Sequence, residues 1–389
     1  MRDRPIYLDA HATTPVDPRV LEAMLPYFAE SFGNAASRTH AYGWVAEDAV
    51  EQARAQAAAA IGGSAKEIVW TSGATEANNL AILGAAEAYR EKGDHVVTCT
   101  TEHSAVLDPC RHLERIGFRV TVLPVDSTGL LDLDALAATL TDRTILVTIM
   151  TANNEVGTLH PIAAIARIVH ERGAALFHTD AAQALGRVDV NVERDGVDLL
   201  SMSGHKVYGP KGVGALWVRR RRPTVRLAPI LHGGGHERGL RSGTLNVPGV
   251  VGMGEALAIA AAEREAETAR VCALRDRLWS ALREGLPDIQ LNGHPTLRLP
   301  NNLNVSFTGV EAEDLLHEIP NVAVSTGAAC SSASPEPSHV ITALGLGQAR
   351  AQSSIRFGLH RFTTPEEIDE AATDVVRAVR KLRELAART

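Results

Sequence analysis

The sequence predicts an α/β protein: a large domain on a mostly parallel sheet covered by helices, and a smaller α+β domain after it. Three observations carry this. In the first half, short apolar runs alternate with stretches of helical periodicity. After "GTLNVPG" the chain becomes one long helical stretch rich in Ala, Glu and Arg, of the kind that links two domains. The remainder alternates strand and helix again. At 389 residues the chain is also longer than one core usually serves.

The elements follow in order. "YLDAHATTPVDPRV" leads into the helix "VLEAMLPYF". "EIVWTS" reads as a strand, Glu76 to Arg90 as a helix, "HVVTCT" as a strand and "AVLDPCRHLERIG" as a helix. "RVTVLPV" and "TILVTIM" are strands with "LDLDALAATL" between them. "IAAIARIVHERG" is a helix stopped at Gly173, and the strand "AALFHTD" follows. The linking helix runs from about Val250 to Glu284. Then come "NNLNVSF" (strand), "EAEDLLHEI" (helix), "VAVST" (strand), "SSIRFGL" (strand) and a final helix. Thr364 can cap that helix, Pro365 fits its first turn, and Glu367 completes a capping box. Ile368, Ala372, Val375, Val379 and Leu382 keep helical spacing.

Composition excludes several functions. Hydrophobic content of 45% and charge of 22% are ordinary for a globular protein. A net charge of -7 opposes DNA binding by bulk electrostatics. The run "RRRR" at Arg219–Arg222 reads as a solvated strand end or a docking patch. No signal peptide and no apolar run of membrane-spanning length is visible, so a cytoplasmic protein is expected. The four cysteines, Cys99, Cys110, Cys272 and Cys330, form no CxxC pair, which opposes a structural zinc or disulfide framework.

Ligands in open α/β sheets bind at the carboxyl ends of strands. Several polar residues stand there. Gly73, Ala74 and Thr75 open a helix, either as a phosphate cradle or as an ordinary helix start. His103 could stack on a flat ring or move protons, or be incidental. Asn153, Asn154 and Glu155 could orient a ligand or close a turn. Asp180 could hold a pyridinium nitrogen protonated or cap a helix, with Gln183 three residues on. Lys206 lies one βα step beyond, in "SMSGHKVYGPKG". A lysine for covalent attachment and a carboxylate for the ring nitrogen are what a pyridoxal phosphate enzyme needs. Lys211 reads as structural or solvent-facing. "HGGGHERG" lacks GK[ST], and His232 and His236 have no helical frame for a metal, so a lid or subunit-contact loop is expected there.

"SGHKVYGPKGVGAL" and "GGGHERGLRSGTLNV" resemble the cysteine desulfurases of the class V, fold-type I pyridoxal phosphate family, of the housekeeping type that serves iron–sulfur assembly and tRNA thiolation. "IYLDAHATTPVDPR", "WTSGATE", "TEHSAVL", "NNEVG", "HTDAAQ" and "SSIRFGLHRFTTPEEID" extend the likeness over nearly the whole chain. The resemblance implies a PLP-binding large domain over residues 15–262. A small domain formed by 1–14 and 263–389 would carry the catalytic cysteine loop.

The resemblance also implies roles. Lys206 would bond covalently to the cofactor, Asp180 would pair with its ring nitrogen, and His103 would stack on the ring and assist proton transfer. Gln183 would meet the ring hydroxyl. Ala74, Thr75, Ser203 and His205 would hold the phosphate, and Thr244 would reach the phosphate of the neighbouring subunit of a homodimer. Asn154 and Arg356 would bind the carboxylate of L-cysteine. Cys330, in "STGAACSSASPEPSH", would take the sulfur as a persulfide and pass it to an acceptor protein. Thr326 and Ala328 stand where the family pattern has serines. Ala10 and His11 also depart from the usual residues, and His11 has no assigned task. The sequence ends soon after the last helix, where such enzymes often carry a tail that helps dock a scaffold protein. A selenocysteine lyase or another class V enzyme would use the same lysine and aspartate. A non-enzymatic sulfur-carrier scaffold would need neither.

Overall fold

The computed structural model describes residues 4–221, 224–326 and 338–387. Its strands are β1 (Ile6–Tyr7), β2 (Ile68–Thr71), β3 (His95–Cys99), β4 (Arg119–Leu123), β5 (Thr144–Thr148), β6 (Leu176–Asp180), β7 (Leu199–Ser203), β8 (Gly214–Val218), β9 (Ile289–Leu291), β10 (Asn302–Phe307), β11 (Val322–Ala323) and β12 (Ser354–Gly358). The helices are α1 (Pro18–Met24), α2 (Pro26–Ala29), α3 (Ala41–Ala59), α4 (Ala74–Tyr89), α5 (Ser104–Arg115), α6 (Leu133–Thr139), α7 (Ile162–Arg172), α8 (Val247–Gly285), α9 (Ala312–Glu318), α10 (His339–Ala343), α11 (Gln348–Gln352) and α12 (Pro365–Ala386).

Among the described residues the main sheet has seven strands in the order β2-β8-β7-β6-β5-β3-β4. The pairings β7-β6, β6-β5, β5-β3 and β3-β4 are parallel, whereas β8 runs antiparallel to both neighbours. Alternation along each strand sends side chains to opposite faces. Trp70, Val97, Val147, Phe177, Leu200 and Trp217 share one core with residues of α3 and α8. Val69, Val96, Leu146, Leu176, Leu199 and Leu216 share another with residues of α4 and α5. Burial on both faces explains why these strands read as continuous apolar runs.

A third core joins Val305 and Phe307 of β10 and Ile355 and Phe357 of β12 to the far half of α8 and to α12. Ile6 and Leu8, from the start of the chain, also pack there. The β9, β10 and β12 sheet is antiparallel. Thr364 and Glu367 form the capping box that the sequence predicts. No helix among the described residues is long and apolar enough to cross a membrane.

Three local readings differ from the sequence expectation. "VLEAMLPYF" is two helices, because Pro26 starts a new one after Leu25. "VAVST" contributes only Val322–Ala323, paired in parallel with β1. In the arginine run, Arg219 is no free strand end: its guanidinium bonds Asp198, which is fully buried, at 2.5 Å.

Candidate functional site

The carboxyl ends of β2, β3, β5, β6 and β7 converge on a cavity of about 490 Å³. Ala74, Thr75, His103, Asn154, Asp180, Gln183, Ser203, His205 and Lys206 all line it. Lys211 lines it too: it is exposed, as expected, but stands at this wall. A larger groove of about 870 Å³ between α5, β4 and α10–α11 holds none of these groups, so the chemistry belongs to the smaller cavity.

Lys206 sits in a short turn (Gly204–Lys206) directly after β7. Its Nζ donates to the main-chain oxygens of His11 and Ala12, the latter at 2.8 Å. Two residues on, Tyr208 holds a φ of 65°, unusual for a bulky side chain. The turn is pinned there: Tyr208 donates its hydroxyl to Glu267 and its N–H to Thr14 Oγ1, at 2.8 and 2.9 Å. Arg187 donates to the same hydroxyl at 2.8 Å.

Asp180 ends β6. Its Oδ1 accepts from Ala182 N at 2.9 Å, closing the strand-end turn, and its Oδ2 accepts from Asn78 Nδ2 at 2.7 Å. His103 caps α5 through Nδ1, which accepts from Ala105 N at 3.0 Å. With Nδ1 engaged as acceptor, Nε2 is the position that carries the proton of the neutral ring. His205 bonds Thr13 Oγ1 at 3.1 Å. Burial, then the charges of Lys206 and Lys211, pull its imidazole down to about 4, so it enters the site neutral.

The sequence reading missed part of the site. His11 is buried, with Nδ1 at 3.0 Å from Gln183 Oε1 and Nε2 at 3.1 Å from Asn302 Nδ2. Gln183 Nε2 also donates to His11 O at 3.0 Å. Burial first, then Arg356, holds His11 well below its ordinary pKa. Its task is thus to orient Gln183 and to present a carbonyl to Lys206. Glu102 and Glu155, neighbours of His103 and Asn154, are buried carboxyls. Glu102 Oε1 accepts from Met150 N at 2.5 Å. Glu155 accepts from Ser338 Oγ. Glu155 was already a candidate in "NNEVG" and Asn78 stands in "SGATEANN", whereas no local signal marks Glu102.

Two expected residues stand apart among the described residues. Arg356 is buried behind the cavity, not on its lining: Nη1 donates to Asn154 O at 3.0 Å and Nη2 to Asp9 Oδ1 at 2.9 Å. Its Nε has no partner among the described residues. Thr244 is exposed and does not line the cavity. Cys330 lies outside the described residues.

The cavity fits pyridoxal phosphate. Among the described residues no side chain caps α4, and Gly73 faces open space, so the first N–H groups of the helix are available to a phosphate. Ala12, Ala105, Ala152 and Ala182 leave room for a flat ring between Lys206, Asp180 and His103.

Comparison with known proteins agrees. The profile of the family described as aminotransferase class-V matches residues 6–371. A protein of Anaeromyxobacter sp. (strain Fw109-5) named cysteine desulfurase IscS is 60% identical over 381 residues, 98% of this chain and 94% of that one. The solved structure of a NifS-like protein superposes with a TM-score of 0.89 at 36% identity, over 99% of this chain and 100% of that one. A structure described as SspA in complex with cysteine gives 0.81 at 38% identity, over 92% and 99%.

Proposed function

This chain belongs to the aminotransferase class-V family, and from that premise we propose that it is a pyridoxal-phosphate-dependent cysteine desulfurase. It converts L-cysteine to L-alanine and places the sulfur on Cys330 as a persulfide. An acceptor protein of iron–sulfur cluster assembly or thiolation takes the sulfur onward. The observation that carries this reading is Lys206 in one cavity with Asp180 and His103. Relatives named cysteine desulfurase, and a neighbour described in complex with cysteine, favour the substrate.

In this reading Asp180 meets the ring nitrogen, Gln183 the ring oxygen and His103 the ring face. Ala74, Thr75, Ser203 and His205 hold the phosphate. When bound, the cofactor supplies a sink for the electron pair left at Cα. Lys206 Nζ removes the Cα proton. Asn154 and Arg356 orient the substrate carboxylate: Asn154 lines the cavity, and Arg356 stands directly behind it with Nη1 on Asn154 O. The Cys330 thiolate attacks the substrate sulfur, and an S–S bond forms as the carbon–sulfur bond breaks. L-cysteine and the Cys330 thiol thus become L-alanine and the persulfide, with no outside oxidant or reductant.

We read residues 15–262 as one domain and 1–14 with 263–389 as the other; the packing of Ile6 and Leu8 into the third core supports this. A homodimer fits the large apolar side chains exposed between residues 21 and 45, among them Leu21, Leu25, Phe28, Phe32, Tyr42, Trp44 and Val45, with the Phe32 and Tyr42 rings 5.2 Å apart. Thr244 would then serve the partner's phosphate. A cytoplasmic location suits a free thiol that must stay reduced. The test is a visible absorption band in the purified protein and L-alanine released from L-cysteine. A colourless protein that takes up no cofactor sinks the reading.

A further inference from the structure

Strand β2 lies at one end of the main sheet. Its outward Ile68 O and Trp70 N need partners. Side chains rather than a strand supply them. Glu237 Oε2 accepts from Trp70 N at 2.8 Å. Ile68 O accepts from Arg54 Nη1 at 2.9 Å and also from Arg238 Nη2. Arg54 in turn grips both oxygens of Glu237, at 2.8 Å each, with both residues buried. To deliver these consecutive side chains the backbone takes φ values of 48° at Glu237 and 58° at Arg238. That conformation is strained for such residues and persists because the surroundings fix it. The segment is therefore clamped to β2.

From this clamp Arg241 reaches the next element. Its Nε donates to Glu76 Oε1 at 2.9 Å. Glu76 Oε2 accepts the N–H of Ser72 at 2.8 Å. Ser72, Gly73, Ala74 and Thr75 are the wall of the cavity where α4 begins. The backbone there is closely fitted: a Cβ at Gly214 of β8 would lie 2.5 Å from Gly73 Cα.

Electrostatics make the arrangement purposeful. Glu76 sits in the first turn of α4, where a bare carboxylate would repel a bound anion. Arg241 offsets that charge. Burial pushes the Glu76 carboxyl up, but its bonds to Arg241 and Ser72 outweigh this and hold it below its ordinary value. Glu76 keeps its hold on Ser72 without opposing a phosphate.

We infer that Arg241 and Glu76 are positioning residues that form a brace, setting the turn between β2 and α4 as a phosphate cradle from outside the cavity. This rests on the cofactor reading above. Thr244, three residues beyond Arg241, is carried by the same clamped segment.

The test separates phosphate from ring. Apo-protein is titrated with pyridoxal phosphate and with pyridoxal, which lacks the phosphate, for wild type, Glu76→Ala, Arg241→Met and the double variant. Each single change is expected to weaken pyridoxal phosphate binding about tenfold, with pyridoxal unchanged. The double is expected to be no worse than the weaker single, as for two members of one unit. Glu76→Gln keeps the side-chain size and one acceptor, for Ser72, but turns an amide donor toward Arg241, so its smaller loss reports the bond and ion pair with Arg241; a cooperative thermal transition in each variant confirms folding. Equal weakening for both ligands, or unchanged pyridoxal phosphate binding, overturns the brace. A wild type that takes up neither ligand instead overturns the cofactor reading beneath it.

Discussion

Asn78 Nδ2, in the second turn of α4, donates to Asp180 Oδ2 at 2.7 Å at the end of β6. The bond fixes the carboxylate in the orientation set at its other oxygen by Ala182 N. A hydrogen bond to a charged group contributes about 1.5–3 kcal/mol. Asn78→Ala should therefore lower kcat/KM for L-cysteine roughly ten- to a hundredfold. Steady-state alanine assays check it, and an unchanged kcat/KM would dissociate Asn78 from the site.

Lys206 Nζ donates to two main-chain oxygens, those of His11 and Ala12. The turn itself is held by Tyr208 and Thr14. Lys206→Ala should keep its cooperative thermal transition, lose the visible band and form no alanine. Absorbance and calorimetry on one sample decide this.

Glu102 gives a stability signature. Burial first, then the nearby charge of Asp180, pushes its carboxyl from 4.5 up to about 8, against the Met150 N–H bond that pulls it down. The folded protein thus holds a proton that the unfolded chain releases from about pH 4.5 upward. This contribution is fully present below pH 4.5 and is lost as pH rises to about 8, at up to about 1.4 kcal/mol per pH unit. Glu102→Gln, a neutral mimic, should gain in Tm relative to wild type as pH rises from 5 to 8. Thermal melts across that range check the sign; parallel curves would contradict it.

Phe28 and Phe32 are 61% and 63% exposed, in a segment (21–45) that also exposes Leu21, Leu25, Tyr42 and Trp44. Phe28→Asp with Phe32→Asp should convert a dimer into a monomer in sedimentation velocity. A monomeric wild type would remove the dimer from the account.

Legibility followed locality. The βα alternation, the capping box of α12 and the strand-end positions of Asp180 and Lys206 were readable because each depends on neighbours in sequence. Helix α3 was not recognised. Its buried face is mostly alanine (Ala46, Ala49, Ala53, Ala57, Ala58), which gives a weak periodic signal. The small residues serve close packing instead: a Cβ on Gly254 of α8 would lie 2.6 Å from Ala53 Cα. His11 was noticed but had no task, because its partners Gln183 and Asn302 lie 172 and 291 residues away. Arg356 was found by resemblance, yet its ion pair with Asp9 is a tertiary fact.

The most direct test of the central claim is a single turnover on the holo-protein. L-cysteine is added, thiols are alkylated, and the peptide carrying Cys330 is weighed by mass spectrometry beside an assay of L-alanine. The account predicts one added sulfur on Cys330 for each alanine formed, and no alanine from Cys330→Ala. Alanine at the wild-type rate from Cys330→Ala, or the sulfur on Cys99, Cys110 or Cys272, would contradict it.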